Sequence, residues 1–188
     1  MQKKSSLYRL MLTAILLALG IVLPFLTGQI PAIGQAISPL HIPAFICGLT
    51  CGPVWGAALG FILPLLRSVL FGMPPLVNVA VPMAFELAVY GLVCGLAYPA
   101  LRKVIHRGGS LVPMVAALLI AMLAGRIVGG AAKAVVMGMA GKPYPFSALI
   151  AGYFTGTAVG ALIHIVIVPA IVTALEKAKL SPLAQEGK

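Results

Sequence analysis

Four ionisable side chains lie inside long apolar stretches and are the residues best suited to chemistry: Arg67, Glu86, Arg126 and Lys133. A charged side chain at the centre of a bilayer costs at least about 2.5 kcal/mol, so such residues usually bind a ligand, line an ion path or pair with another charge. If Glu86 neutralises one arginine, at least one cation still lacks a counter-charge. The pattern therefore favours a site in which a bound anion supplies that charge.

The composition indicates whether these charges lie in a soluble protein or in a membrane protein. Of the 188 residues, 61% are hydrophobic and 9% are charged, against about 45–50% and 25% in soluble domains. The chain is therefore predicted to be an integral membrane protein. We expect a single membrane-embedded domain over residues 1–180 and a polar cytoplasmic tail over residues 181–188.

Six apolar stretches approach the length of a membrane-spanning helix, which is about 20 residues. They are helices rather than strands, because an isolated strand cannot satisfy its backbone hydrogen bonds in lipid. The second is short enough to be a re-entrant or buried helix. The predicted fold is a compact all-α bundle of six transmembrane helices, with these bounds: Leu10–Leu26, Leu40–Cys51, Val54–Phe71, Val79–Leu101, Leu111–Met139 and Ala148–Leu175.

Basic residues mark one side of this bundle. Lysines and arginines precede the first helix, lie between the fourth and fifth, and follow the last, whereas Lys142 alone lies in a loop of the opposite side. The positive-inside rule then makes both termini cytoplasmic. The formal charge of +10 is thus a topology signal, and nucleic acid is not an expected partner.

The helical rise gives each charged residue a depth. Arg67 would lie roughly 20 Å and Arg126 roughly 22 Å from the inner ends of their helices, and Glu86 about 10 Å below the outer end of its own. All three then occupy one layer of the outer leaflet, with Lys133 two turns above Arg126. Arg67 and Lys133 are alternatively close enough to a helix end to snorkel into the headgroups, whereas Arg126 is too deep to do so. Glu86 is alternatively a structural counter-ion.

Four uncharged side chains join the candidate set or lie beside it. Asn78 is a candidate at the mouth of the site, with a turn or cap role as the alternative. Tyr153 and Thr157 share a face with His164 and would line a cavity or simply pack. His164 itself is more typical of an interhelical hydrogen bond than of a ligand-binding group.

Enzyme chemistry has little support in this sequence. The chain has three carboxylates and three cysteines, and it contains no nucleotide-binding or hydrolase motif. We therefore predict no catalytic residue, no metal site and no cofactor. Glycines at four-residue spacing are instead typical of closely packed membrane helices. They are the pairs Gly56 and Gly60, Gly91 and Gly95, Gly125 and Gly129, and the run Gly152, Gly156 and Gly160.

Several segments together carry a resemblance to a known family. They are the basic amino end, the Ala-xxx-Ala element in Thr13–Ala18, the polar loop Thr27–Pro31, and the stretches Gly52–Gly56 and Arg67–Pro75. With these segments and six helices, the chain resembles over essentially its whole length the substrate-binding S component of energy-coupling factor (ECF) vitamin transporters. Such subunits lie in the plasma membrane of prokaryotes.

The resemblance implies a transport role without catalysis. An S component binds a vitamin in a pocket open to the outside and docks on a transmembrane coupling subunit that carries two cytoplasmic ATPases. By position, Ala14 and Ala18 would form the docking face, the loop Thr27–Ser38 would gate the pocket, and the outer ends of the last three helices would line it. The bundle would topple in the membrane to carry the pocket inward.

The surplus of buried cations favours a substrate with a carboxylate or phosphate, which an arginine binds in a bidentate manner. Pantothenate fits this description. Riboflavin is the alternative within the family, although the aromatic content of 7% argues mildly against a large stacked ring. A membrane scaffold whose charges pair with another subunit is an alternative of a different class, and a channel is a third, less suited to a single bundle.

Overall fold

A computed structural model describes residues 2–26, 38–105 and 109–183. Residues 27–37 of the predicted gate Thr27–Ser38, and residues 184–188 of the predicted tail, lie outside the described residues. All regular elements in the described ranges are helical. They are α1 (Gln2–Leu26), α2 (His41–Cys51), α3 (Pro53–Phe71), α4 (Val81–Val104), α5 (Leu111–Met139), α6 (Phe146–Ile150) and α7 (Ala158–Lys177), with π-helical turns at Leu76–Ala80 and Ala151–Thr155.

Five helical stretches of the described chain are long and apolar enough to cross a membrane. They are Ser6–Phe25, Pro53–Phe71, Leu76–Val104, Leu111–Met139 and Phe146–Lys177. The predicted all-α membrane protein is thereby confirmed. The second predicted helix is α2, whose 11 residues measure only about 16 Å, against roughly 30 Å of hydrocarbon. Helix α2 is therefore the buried helix predicted as an alternative for this short stretch.

Glycines mark two of the helix boundaries, as their backbone angles show. Gly52 separates α2 from α3 with φ 99°, and Pro53 is the first residue of α3. Gly72 ends α3 with φ 68°. Both angles are ones that a residue with a Cβ rarely adopts.

The last apolar stretch, predicted as one helix, differs from this expectation. It divides into α6, the π-helical turn Ala151–Thr155 and α7, and Thr157 before α7 has φ −114° and ψ 11°. Apolar composition alone carries no signal for such an interruption. Threonine hydroxyls bind the backbone at this interruption: that of Thr155 donates to the carbonyl oxygen of Ala151 at 3.0 Å, and that of Thr157 donates to the carbonyl oxygen of Tyr153 at 2.8 Å.

The core forms around α2, which contacts α1, α3, α4 and α7. Every residue of α2 except Ile42 is buried. Helix α4 packs along both α3 and α5, and its Leu87 and Tyr90 are almost fully buried. The lipid-facing surfaces of α1 and α5 instead expose large apolar side chains, as expected for a protein whose solvent is hydrocarbon.

Glycines allow three helices to meet backbone to backbone. A Cβ on Gly56 of α3 would lie 2.6 Å from Cα of Gly48 in α2, and one on Gly91 of α4 would lie 2.7 Å from Cα of Gly56. A Cβ on Gly95 would lie 2.5 Å from Cα of Pro53. No side chain fits at such distances, so the predicted close approach at these glycines is confirmed. At Gly152 the nearest such contact is 3.7 Å, and no close helix packing occurs there.

The predicted basic regions come together at one end of the bundle, here called the inner end. The Tyr8 hydroxyl donates to the carbonyl oxygen of Leu180 at 3.2 Å, which joins α1 to the segment after α7. Arg102 at the end of α4 lies 3.8 Å from Glu176 near the end of α7. The predicted polar tail begins with packed residues, because Ser181 is 1% exposed.

Candidate functional site

A small cavity lies between α2, α4, α5 and α7. The volume open to the centre of a water molecule is about 10 Å³, roughly the room for one water. The lining is rich in polar and aromatic side chains, although the surrounding helices are apolar. It consists of Ser38, His41, Phe45, Glu86, Tyr90, Met122, Arg126, Thr157 and His164.

Glu86 is the acceptor at the centre of this lining. The Tyr90 hydroxyl, one turn further along α4, donates to Oε1 of Glu86 at 2.5 Å. Nε2 of His41 lies 3.7 Å from the same oxygen. A Cβ on Gly129 of α5 would lie 2.7 Å from Cβ of Glu86, so this glycine lets α5 approach the glutamate stem. The carboxylate is therefore held by α4 and α2 and covered by α5.

Arg126 enters the cavity from α5 and contacts the interrupted last stretch. Its Nη2 donates to the carbonyl oxygen of Thr157 at 3.5 Å, and its guanidinium carbon lies 5.7 Å from the centre of the Phe154 ring. The ion pairs of the described chain do not include one between Arg126 and Glu86. The cavity therefore presents one cation and one anion that are not committed to each other.

Two histidines close the cavity beside α2. The rings of His41 and His164 stack with centres 5.6 Å apart and planes at 22°. The carbonyl oxygen of Ser38 lies 3.1 Å from Nδ1 of His41 and 3.3 Å from Nε2 of His164. A carbonyl only accepts hydrogen bonds, so these contacts favour a proton on each of those two nitrogens. Helix α7 is thus joined to Ser38, three residues before α2 begins.

Aromatic rings form a second part of the wall. Phe45 of α2 stacks on Tyr90 with centres 4.6 Å apart and an interplanar angle of 24°. His164 tilts against Phe45 at 5.5 Å, and His41 against Tyr90 at 5.4 Å. The protein is poor in aromatic residues overall, yet it concentrates ring side chains around this one cavity.

The structure brings Glu86 and Arg126 together, as their calculated depths predicted, but it separates Arg67 from them. Arg67 donates to the carbonyl oxygen of Ile21 and lies 4.9 Å from the Phe25 ring centre and 5.4 Å from that of Phe71. It therefore joins α1 to α3. Being 2% exposed, it does not snorkel to the surface.

The outer candidates lie near the cavity without lining it. Lys133 donates to the backbone oxygen of Asn78, which connects α5 to the π-helical turn before α4. The Tyr153 hydroxyl donates to the backbone oxygen of Gly129 at 3.0 Å. Because Arg67 and Lys133 are engaged elsewhere, the expected surplus of positive charge in one cavity is not present among the described side chains.

Several lining residues were not singled out from the sequence. The omissions are His41, Phe45, Tyr90 and Met122, whereas Ser38 is the last residue of the predicted gate. Tyr90 carries a readable signal, because it stands four residues after Glu86 and so shares its helix face. His41 carries a weaker one as a polar residue at the start of a short apolar helix. His164 makes the expected interhelical hydrogen bond, and it also lines the cavity.

The Ala-xxx-Ala element lies on the outer face of α1. Ala14 and Ala18 are both exposed, and large apolar neighbours on the same helix are exposed with them, including Leu7, Met11 and Ile15. The opposite face of α1 packs on α2 and α3. The outer face therefore presents small residues flanked by apolar ones, which suits close approach of another membrane helix.

Comparison with known families agrees with this architecture. The family model described as ECF transporter, substrate-specific component, matches residues 8–181. No curated protein and no solved structure matches the chain. The matched range includes all the cavity-lining residues and both Ala14 and Ala18. The chain belongs to the family of ECF transporter substrate-specific components.

Proposed function

We propose that this substrate-specific component of an ECF transporter binds a small anionic vitamin in the cavity between α2, α4, α5 and α7. As a member of this family the chain is a substrate-binding subunit of a transporter and not itself an enzyme. The observation that carries the proposal is the presence of Glu86 and Arg126 in one cavity lining without an ion pair between them. Opposite charges that lie in one cavity without pairing with each other favour a ligand that binds both.

The chemistry of the two groups describes the ligand. Arg126 suits a carboxylate, which its planar guanidinium binds through two parallel hydrogen bonds. Glu86 suits a hydroxyl or amide donor, because an ionised carboxylate only accepts hydrogen bonds. Pantothenate has a carboxylate at one end and hydroxyl groups at the other, and we propose it as the substrate. Arg67, Lys133, Asn78 and Tyr153 would then act around the site, by fixing the helices that carry it or by lining its outer approach.

The aromatic wall favours a second candidate. Phe45, Tyr90, His41 and His164 all line the cavity and stack or tilt against one another, and a wall of aromatic rings suits a flat conjugated ligand. Riboflavin, which is neutral, would use these rings and depend less on Arg126. The two candidates therefore differ in how strongly they need the arginine.

The remaining parts of the proposal concern assembly. We propose that the subunit has six transmembrane segments, with both termini in the cytoplasm of a prokaryotic cell, and that its inner end carries the basic residues. Ala14 and Ala18 would dock on the transmembrane coupling subunit, whose two ATPases would supply the energy for uptake. The exposed small-residue face of α1 supports this docking role.

Thermal stability in detergent against a panel of vitamins tests the binding proposal. A ligand at 100 times its Kd adds about 2.7 kcal/mol to the free energy of unfolding, so the true substrate raises the midpoint clearly. Arg126→Ala abolishes the shift with pantothenate, and Lys142→Ala, an exposed cation between α5 and α6, serves as the control. Normal binding by the Arg126 variant would contradict the site. No shift with any vitamin would favour a scaffold instead.

A further inference from the structure

A groove on the lipid-facing side of the bundle lies apart from the cavity described above. It runs between the beginning of α5 and the second half of α7 at the inner end, with a volume of about 480 Å³. Its lining is Leu111, Val115, Ile165, Val166, Pro169, Ala170, Thr173, Ala174 and Lys177. Except for Thr173 and Lys177, these side chains are apolar.

The floor of the groove has a local cause in the sequence of α7. Ala170 and Ala174 have small side chains one turn apart, whereas Ile165 and Val166 above them are bulky. Pro169 stands inside the helix, where it removes a backbone hydrogen bond and tends to bend the helix. Small residues beside this proline leave a concave strip along α7 where it faces α5.

The length of the groove matches one leaflet. From Ile165 to Lys177 the helix rises about 18 Å, while half of the hydrocarbon core is about 15 Å thick. Both helices belong to segments long and apolar enough to span a membrane. The apolar part of the groove therefore extends from the membrane surface toward the midplane, as a single acyl chain does.

A cation stands at the surface end of this apolar strip. Lys177 is exposed, and the ion pairs among the described residues do not include it. Its neighbour Glu176 accepts a hydrogen bond from Tyr98 at 2.6 Å and pairs with Arg102, so this carboxylate is already engaged. The Lys177 ammonium is therefore available to an external anion, beside the amino end of α5.

We propose that this groove is a binding site for an anionic phospholipid, whose acyl chain fills the strip between α5 and α7 and whose phosphate contacts Lys177. Basic pockets between helices at the inner membrane surface are suited to anionic lipid headgroups. The groove is apolar over the length of one leaflet and has a cation at one end. This combination fits an anionic lipid better than a protein helix, because a helix need not carry a negative charge at that position. The site is independent of the proposed vitamin site.

Native mass spectrometry of the purified full-length protein tests this proposal with phosphatidylglycerol and phosphatidylcholine as probes. The wild-type protein retains phosphatidylglycerol in preference to phosphatidylcholine. Lys177→Gln lowers the affinity for phosphatidylglycerol about fivefold, the effect expected for one basic residue at a charged membrane surface, and leaves phosphatidylcholine unchanged. Ala170→Trp fills the groove and reduces retention of both lipids.

Two controls match these variants. Lys142→Gln removes an exposed cation from the opposite end, and Ala131→Trp places an indole on an exposed position of α5 outside the groove; both retain wild-type lipid binding. Equal retention of phosphatidylglycerol by the wild type and Lys177→Gln overturns the proposal. Unchanged lipid retention by Ala170→Trp also overturns the proposal. If that variant in addition fails to assemble with partner subunits, the groove is a binding site for a protein helix. Vitamin binding is measured in parallel and is expected to be unaffected by all four variants.

Discussion

The Tyr90 hydroxyl donates a hydrogen bond to the Glu86 carboxylate, one turn earlier in α4. This bond orients the carboxylate in the cavity, and hydrogen bonds to charged groups contribute about 1.5–3 kcal/mol. We expect Tyr90→Phe to weaken vitamin binding by roughly tenfold or more, because the carboxylate loses its donor while the ring remains. Thermal shift and calorimetric titration measure this change.

The matched control for that variant is Tyr144→Phe. The Tyr144 hydroxyl donates to the backbone oxygen of Ala148 at 3.4 Å, outside the cavity. Its removal leaves the affinity unchanged. Equal affinities for the wild type and Tyr90→Phe would show that Glu86 is not oriented for the ligand by this hydroxyl.

Arg67 is expected to affect stability more than binding. Its contacts with Ile21, Phe25 and Phe71 join α1 to α3, so Arg67→Ala removes a buried interhelical interaction. We expect a loss of about 1–3 kcal/mol in the free energy of unfolding, read as a lower thermal midpoint without ligand. Arg102→Ala is the comparison, because its ion pair with Glu176 is partly exposed and such pairs contribute about 0–1 kcal/mol. If Arg67→Ala lost vitamin binding while its stability stayed unchanged, Arg67 would be a substrate-binding residue and not a structural one.

Gly91 is expected to tolerate no larger residue. A Cβ there would lie 2.7 Å from Cα of Gly56, a contact that only movement of α3 or α4 relieves. Overpacking of this kind costs about 1–3 kcal/mol, so Gly91→Ala lowers the thermal midpoint. Gly138→Ala is the control, since a Cβ at that position would meet no atom of another described helix within 4 Å. A neutral Gly91→Ala would mean that the α3 and α4 backbones separate easily.

Ala14 is expected to matter for transport and not for binding. Ala14→Trp places a bulky side chain on the exposed face of α1, where the proposed coupling subunit approaches. The isolated subunit should then bind its vitamin normally, while ATP-driven uptake by the assembled transporter falls to background. Ala131→Trp, exposed on α5, should leave uptake intact. Full uptake by the Ala14 variant would exclude this face as the docking surface.

Helical rise and charge are enough to predict part of this site. Glu86 and Arg126 lie on helices whose ends are readable from the sequence, so their depths could be calculated, and both line the same cavity. Arg67 was assigned the same depth, yet it faces α1. Depth along a helix is set by counting residues, whereas direction around it depends on which neighbours pack there.

The contribution of α2 was less predictable. Its position inside the bundle depends on glycine contacts with α3 and α4, and its short apolar sequence does not reveal which side chains face a cavity. His41 and Phe45 were missed for this reason. The interruption before α7 was missed as well, because it lies in a uniformly apolar stretch, and it is there that the backbone oxygen of Thr157 meets Arg126.

The small size of the cavity has a consequence for the kinetics of uptake. A space for about one water molecule does not hold a vitamin, so we expect the helices to separate before or during ligand entry. The observed association rate would then level off at high vitamin concentration, at the rate of that separation. The apparent Kd would also exceed the intrinsic one in inverse proportion to the separated fraction.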